Sequence, residues 1–244
     1  MSTASVLIDA GNTRLKWVRV EGGRWAAQGG SDYRDWTAFE RALDGAPDCF
    51  VASVAGAAQA QALAGRLAAA SARVTWLTAA PAFGEVVNGY ASPQQLGVDR
   101  WMGLIAARAR SREAVLVVSA GTALTADALA ADGRFLGGVI VPGLALMRQA
   151  LQTGTAGVAP LGGNVEAFPR ATSDAVASGL VAALCGAVRQ QYDYLAAQAG
   201  VAPRCLLSGG DAERIRPHLG LPAEIVPTLV LEGIERVAAK ENTE

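Results

Sequence analysis

Short apolar blocks, each closed by a glycine turn, recur along the chain. Val6-Leu7-Ile8 is an unbroken apolar run and predicts a buried strand. The "AGNT" that follows holds natural turn residues, Gly11 and Asn12, and "RLKWVRV" then alternates polar and apolar positions. Residues 5–20 therefore predict a β-hairpin, and "GGRW" predicts a further turn and strand. Residues 35–44 and the Ala-rich 56–71 predict helices, with a buried strand, "CFVASVAG", between them. "RVTWLTA" is another strand. A long polar loop, "GEVVNGYASPQQLGVDRW", leads into an amphipathic helix over 99–111, where Met102, Ile105, Ala106 and Ala109 share a face.

The same plan then restarts. "AVLVVSAGTALTADAL" predicts a buried strand, a glycine turn and a second strand, and "GRFLGGVIVPG" another turn and strand. Residues 143–152 and 172–199 predict helices, the second broken near Gly179. "RCLLSGGDAERI" reads as strand, Gly-Gly turn and helix start, and residues 230–239 as a closing helix. "VLIDAGNTRL" (6–15) aligns without a gap on "LVVSAGTALT" (116–125), a spacing of 110 residues. Two similar α/β halves facing each other would set these turns across one cleft; two ordinary strand–turn segments would also match this far.

Composition narrows the class. A 244-residue chain that is 51% hydrophobic and 18% charged has ample material for a buried core. Its net charge of -1 and lack of a basic stripe give no footprint for nucleic acid. Cys49, Cys185 and Cys205 are dispersed and odd in number, which argues against a disulfide framework or a CxxC metal site. His218 is the only histidine and has no nucleophile elbow near it, which disfavours a Ser–His–Asp hydrolase. Only Lys16 and Lys240 are lysines. No charged leader precedes a long apolar run, and polar residues interrupt every apolar stretch, so the expectation is a cytoplasmic protein without membrane spans.

Glycine turns after strands suit phosphate oxygens, because they expose backbone N–H groups. The chain has three, at 9–16, at 119–125 and at Gly209-Gly210-Asp211, but neither GxxxxGK[ST] nor an early G-x-G-x-x-G. Asp9 ends the first strand and either caps the turn or holds Mg²⁺ or its waters. Lys16 is either a phosphate contact or an exposed strand lysine. Asp99 stands where a loop enters a helix, as an N-cap or as a general base toward a substrate hydroxyl. Arg100 suits an anionic substrate group or a structural carboxylate. Tyr90 lies in the polar loop, Asp127 reads as a solvated strand residue, and Trp17, Trp25, Trp36, Trp76 and Trp101 as core or hairpin packing.

Taken together, "DAGNTRLKW", "GYASPQQLGVDRW", "AGTALTAD", "GGVIVPG" and "LSGGDA" resemble, in order and spacing, the type III pantothenate kinases over residues 6–212. The resemblance implies a duplicated actin-like, ribonuclease-H-like α/β fold, with residues 1–112 as one domain and 113–244 as the other. The closing helix would pack on the first domain. It implies ATP-dependent phosphorylation of the primary hydroxyl of pantothenate, the first step towards coenzyme A. Asp9, Ala10, Gly11, Asn12, Thr13, Arg14, Leu15 and Lys16 would form the first ATP segment, and Thr122 would contact ATP in the second. Tyr90, Gly97, Val98, Asp99 and Arg100 would bind pantothenate, with Asp99 as proton acceptor. Asp9 would serve Mg²⁺, directly or through water. Thr172 matches a threonine supplied by a neighbouring subunit, which implies a homodimer. "LSGGDA" would lie near the adenosine. Many relatives carry an aspartate for K⁺ or NH₄⁺ where this chain has Ser119, so the expectation here is weak or absent dependence on a monovalent cation. The alternatives are another small-molecule kinase of this superfold, or a catalytically impaired regulatory relative.

Overall fold

The computed structural model describes residues 4–45, 47–155 and 162–241. The chain forms two compact units: Met1–Gly84, Tyr90–Ala106 and Thr228–Glu244 in the first, Glu85–Gly89 and Ala107–Pro227 in the second.

In the first unit, β1 (Ser5–Ala10), β2 (Leu15–Glu21) and β3 (Arg24–Ser31) form an antiparallel meander. Gly22 and Gly23 close its second hairpin, with φ of 57° and 73° that only glycine adopts freely. Helix α1 (Thr37–Ala42) precedes β4 (Asp48–Ser53), and α2 (Ala57–Ala69) precedes β5 (Arg73–Trp76). Both later strands run parallel to β1, giving the order β3-β2-β1-β4-β5. Because β1 is central, Val6, Leu7 and Ile8 are all buried, which explains its unbroken apolar run. Val6, Ile8, Leu15 and Trp17 pack with Trp36, Phe39, Leu63 and Leu67.

Two very short strands follow, β6 (Ala82–Phe83) and β7 (Val86–Val87), and then α3 (Val98–Arg110). The first nine residues of α3 belong to the first unit.

The second unit repeats the plan. It holds β8 (Val115–Ala120), β9 (Ala123–Leu129), β10 (Phe135–Pro142), α4 (Leu144–Gly154), α5 (Thr172–Ala199), β11 (Arg204–Ser208), α6 (Ala212–Ile215) and β12 (Glu224–Ile225). Its sheet order is β10-β9-β8-β11-β12. β8 starts and ends 110 residues after β1, as the sequence repeat predicts. Leu116, Val118 and Leu124 pack against Leu180, Leu184 and Val188 of α5. The final helix, α7 (Leu229–Glu241), lies against β1, β2 and β4 in the first unit. Gly233 lets it approach α3: a Cβ there would stand 2.0 Å from the Met102 carbonyl oxygen.

Three sequence expectations are corrected. Helix α5 passes Gly179 without a break, because the buried face formed by Ala177, Leu180, Val181 and Leu184 outweighs the roughly 1 kcal/mol that an interior glycine costs. Asp127 is not solvated: it is 1% exposed on β9. Trp76 is 46% exposed at the end of β5 rather than packed in a core. Trp25 is half-buried, its indole N–H donating to Glu235 Oε1 on α7 at 2.8 Å.

Candidate active site

The first turn joins β1 to β2. Ala10 pairs with Leu15, and beyond that pair the Gly11 N–H donates to the Arg14 carbonyl at 3.0 Å. Ala10 and Leu15 are fully buried, so their side chains anchor the turn in the core and only their backbone is available to a ligand. Asn12, Thr13 and Arg14 are exposed at its tip. One residue back, Asp9 faces Lys16 across the ladder. Burial pushes the Asp9 carboxyl up to about 6; Lys16 pulls it down, and the Asp99 carboxylate pushes it further up.

That last effect shows that α3 brings Asp99 into the electrostatic neighbourhood of Asp9, 90 residues earlier. Asp99 lies in the first turn of α3, where Trp101 N–H donates to the Gly97 carbonyl at 3.0 Å. Its Oδ1 accepts the Arg100 N–H at 2.8 Å. Burial raises the Asp99 carboxyl above its ordinary range, against the pull of that N–H and of the Arg100 charge. Gly97 gives the carboxylate room, since a Cβ at 97 would stand 2.7 Å from Asp99 Oδ1. Val98 is 7% exposed, and its side chain is a packing residue. Arg100, equally buried, donates from Nη1 to the Tyr90 hydroxyl at 3.0 Å, with its guanidinium 5.7 Å from the Tyr90 ring centre. The polar loop is thus tied to the helix that carries Asp99.

The second unit builds a matching turn between β8 and β9. Gly121 N–H donates to the Ala123 carbonyl at 3.0 Å, and Thr122 is exposed at the tip. Ser119 occupies the place on β8 that Asp9 has on β1, opposite Thr125. Gly143, at the start of α4, donates its N–H to the Thr122 carbonyl at 2.9 Å. A Cβ on Gly143 would stand 2.1 Å from the Gly121 carbonyl oxygen, so only glycine lets α4 seat against the turn. Gly209, at φ 96°, brings the third turn onto the same strand end, where Asp211 N–H donates to the Ala120 carbonyl at 3.0 Å. Thr172 is exposed as the first residue of α5.

The first unit therefore gathers Asp9, Lys16, Tyr90, Asp99 and Arg100, while Ser119, Thr122 and Thr172 belong to the second. Sequence reasoning passed over Tyr33 and gave Gly143 no role. Gly143 was visible as the end of "GGVIVPG"; Tyr33 stands in "SDYRDW", which reads as an ordinary polar connection.

The described residues hold no cluster of three or more His, Cys, Asp or Glu able to cage a metal. A hard divalent ion that keeps most of its waters and shares phosphate oxygens needs only one or two carboxylates. Asp9, half-buried and held above its ordinary range chiefly by desolvation, fits that demand, because a divalent charge would relieve it. Among the described residues, no helix is long and apolar enough to cross a membrane.

Two units with one sheet order, each with a glycine turn after its first strand, define a duplicated α/β fold of the actin-like class. Solved structures agree on the fold. A Campylobacter jejuni chain assigned to the Baf family of transcriptional activators superposes with TM-score 0.63 at 20% identity, covering 98% of this chain and 100% of that one. A glucokinase from an Antarctic psychrotroph gives 0.51 at 12% identity over 98% and 100%. The type III pantothenate kinase family model matches residues 5–194. The type III pantothenate kinase of Thiobacillus denitrificans is 59% identical over 238 residues, 98% of each chain. The chain belongs to the type III pantothenate kinase family.

Proposed function

We propose that this protein transfers the γ-phosphoryl group of ATP to the primary hydroxyl of pantothenate, with Asp99 as the general base. The observation that carries the assignment is the family match over residues 5–194, with Asp9 on a strand beside a glycine turn and Asp99 in the first turn of a helix of the same unit. Backbone N–H groups of the 9–16 turn, with Lys16, bind the phosphates, and Thr122 in the second turn contributes to the same nucleotide. Gly209-Gly210-Asp211 lies near the adenosine. Asp9 would hold Mg²⁺ through water, the ion supplying charge neutralisation of the phosphate oxygens.

The hydroxyl oxygen of pantothenate attacks the γ-phosphorus, the bond from that phosphorus to the β–γ bridging oxygen breaks, and ADP departs. The hydroxyl proton passes to the Asp99 carboxylate, whose elevated basicity suits the task. Arg100 and Tyr90, already bound to each other, hold the carboxylate and amide ends of the substrate. Most of the rate comes from positioning and charge stabilisation, as in phosphoryl transfer generally. Thr172 reaches the substrate from the second subunit of a homodimer. The cytoplasm supplies both substrates.

Asp99→Asn keeps the shape and removes the base. Its turnover should fall by about 10²–10⁴-fold, the usual worth of general base catalysis, with ATP still bound. Near-normal turnover in that variant would overturn the role of Asp99.

A further inference from the structure

Tyr33 follows β3 and adopts φ 68°, a left-handed backbone that is uncommon for a bulky residue. Both of its backbone groups are fixed there. Its N–H donates to Ser31 Oγ at 3.0 Å, and its carbonyl accepts from the Trp36 indole at 3.1 Å. Ser31 in turn donates to the Asp35 carbonyl at 2.5 Å. Trp36 is 6% exposed, with the Arg66 guanidinium 4.0 Å over its ring. The rings of Tyr33 and Trp36 meet edge to face with centres 5.5 Å apart. Glycine or asparagine would adopt this backbone at lower cost, so the tyrosine has to be explained by its side chain.

That side chain ends on the phosphate turn. The Tyr33 hydroxyl donates to the Gly11 carbonyl at 2.5 Å, across 22 residues. No peptide bond among the described residues is cis, and in a planar trans peptide the C=O of one residue and the N–H of the next point in opposite directions. Holding the Gly11 carbonyl toward Tyr33 therefore aims the Asn12 N–H away from it, outward at the exposed tip. The hydroxyl remains a proton donor at any working pH, because burial and the neighbouring Asp9 charge push the phenol up to about 12.

We propose that Tyr33 is a positioning residue for ATP: its hydroxyl locks the Gly11–Asn12 peptide so that the turn presents its N–H donors to a phosphate oxygen. The proposal rests on the placement of the phosphates at residues 9–16, and the test separates the two. KM for ATP, KM for pantothenate and kcat are to be measured for the wild type, Tyr33→Phe, Tyr33→Asn and Lys16→Ala.

Loss of one hydrogen bond should raise the ATP KM of both Tyr33 variants about 3- to 10-fold, with the pantothenate KM within about twofold of wild type. Asparagine accepts the left-handed backbone, so a defect shared by both variants belongs to the hydroxyl. If Lys16→Ala raises the ATP KM and neither Tyr33 variant does, the role of Tyr33 is overturned and the phosphate placement stands. If both KM values rise together in the Tyr33 variants, the residue supports the unit generally and the positioning role is overturned. If none of the three raises the ATP KM, the phosphate placement falls and Tyr33 with it.

Discussion

Asp9 has an ordinary value of 3.8 and stands at about 6 in the folded chain, chiefly through burial. Below 3.8 it is protonated in folded and unfolded chains alike and costs nothing. Between 3.8 and about 6 the folded chain holds a proton that the unfolded chain releases, so stability is lost as pH rises through that window. Above it the full cost of a buried charge remains, at most about 3 kcal/mol for a shift of this size. Asp9→Asn should therefore melt higher than the wild type at pH 8, and the gap should close as the pH falls to 4. Melting curves across that range check it; a constant gap would mean that Asp9 is not held above its ordinary value. A residue retained at such a cost fits a site that awaits a divalent ion and phosphates. Tyr33, which reaches Gly11 from a left-handed backbone, would make the same exchange of stability for function in the positioning role proposed for it.

At the scale of elements, the site depends on where a Cβ is missing. Gly97 and Gly143 both stand at helix starts, but the atoms they make room for differ. At Gly97 the near atom is the end of the Asp99 side chain, which can swing aside. Gly97→Ala should fold, lose at most about 1 kcal/mol and lower kcat by about 10–100-fold through a displaced base. At Gly143 the near atoms are the backbone oxygens of Gly121 and Thr122, so the turn itself must move. Gly143→Ala should destabilise by about 1–3 kcal/mol and weaken ATP binding. Thermal melts and steady-state kinetics on the two variants separate these outcomes; equal effects in both would contradict the distinction.

The strands and hairpins were legible because alternation and glycine turns are local signals, and the repeat at 110 residues marked the duplication. The continuity of α5 through Gly179 was not, since packing against the sheet decides it. Nor was Asp127, which alternation places on a strand that is buried almost throughout. The tie from Tyr33 to Gly11 carries no local pattern at all, because it joins two turns that only the folded sheet brings together.

For the molecule as a whole, two units of one topology differ in the polar residue that ends the first strand. Asp9 at the end of β1 is matched by Ser119 at the end of β8. A carboxylate there would offer a full charge to a second, monovalent ion, whereas the hydroxyl of Ser119 is a neutral and weaker oxygen ligand. On the proposed function, this asymmetry would confine metal binding to the first unit and leave the second turn to act on the nucleotide through Thr122 and its backbone. Pantothenate turnover should then need a divalent ion and ATP but little or no K⁺. The most direct test is to incubate the purified protein with pantothenate, ATP and Mg²⁺, with and without K⁺, and to follow phosphopantothenate by mass. Product should form at similar rates in both. No product from folded protein under either condition would contradict the assigned reaction, and product only with K⁺ would contradict the reading of Ser119.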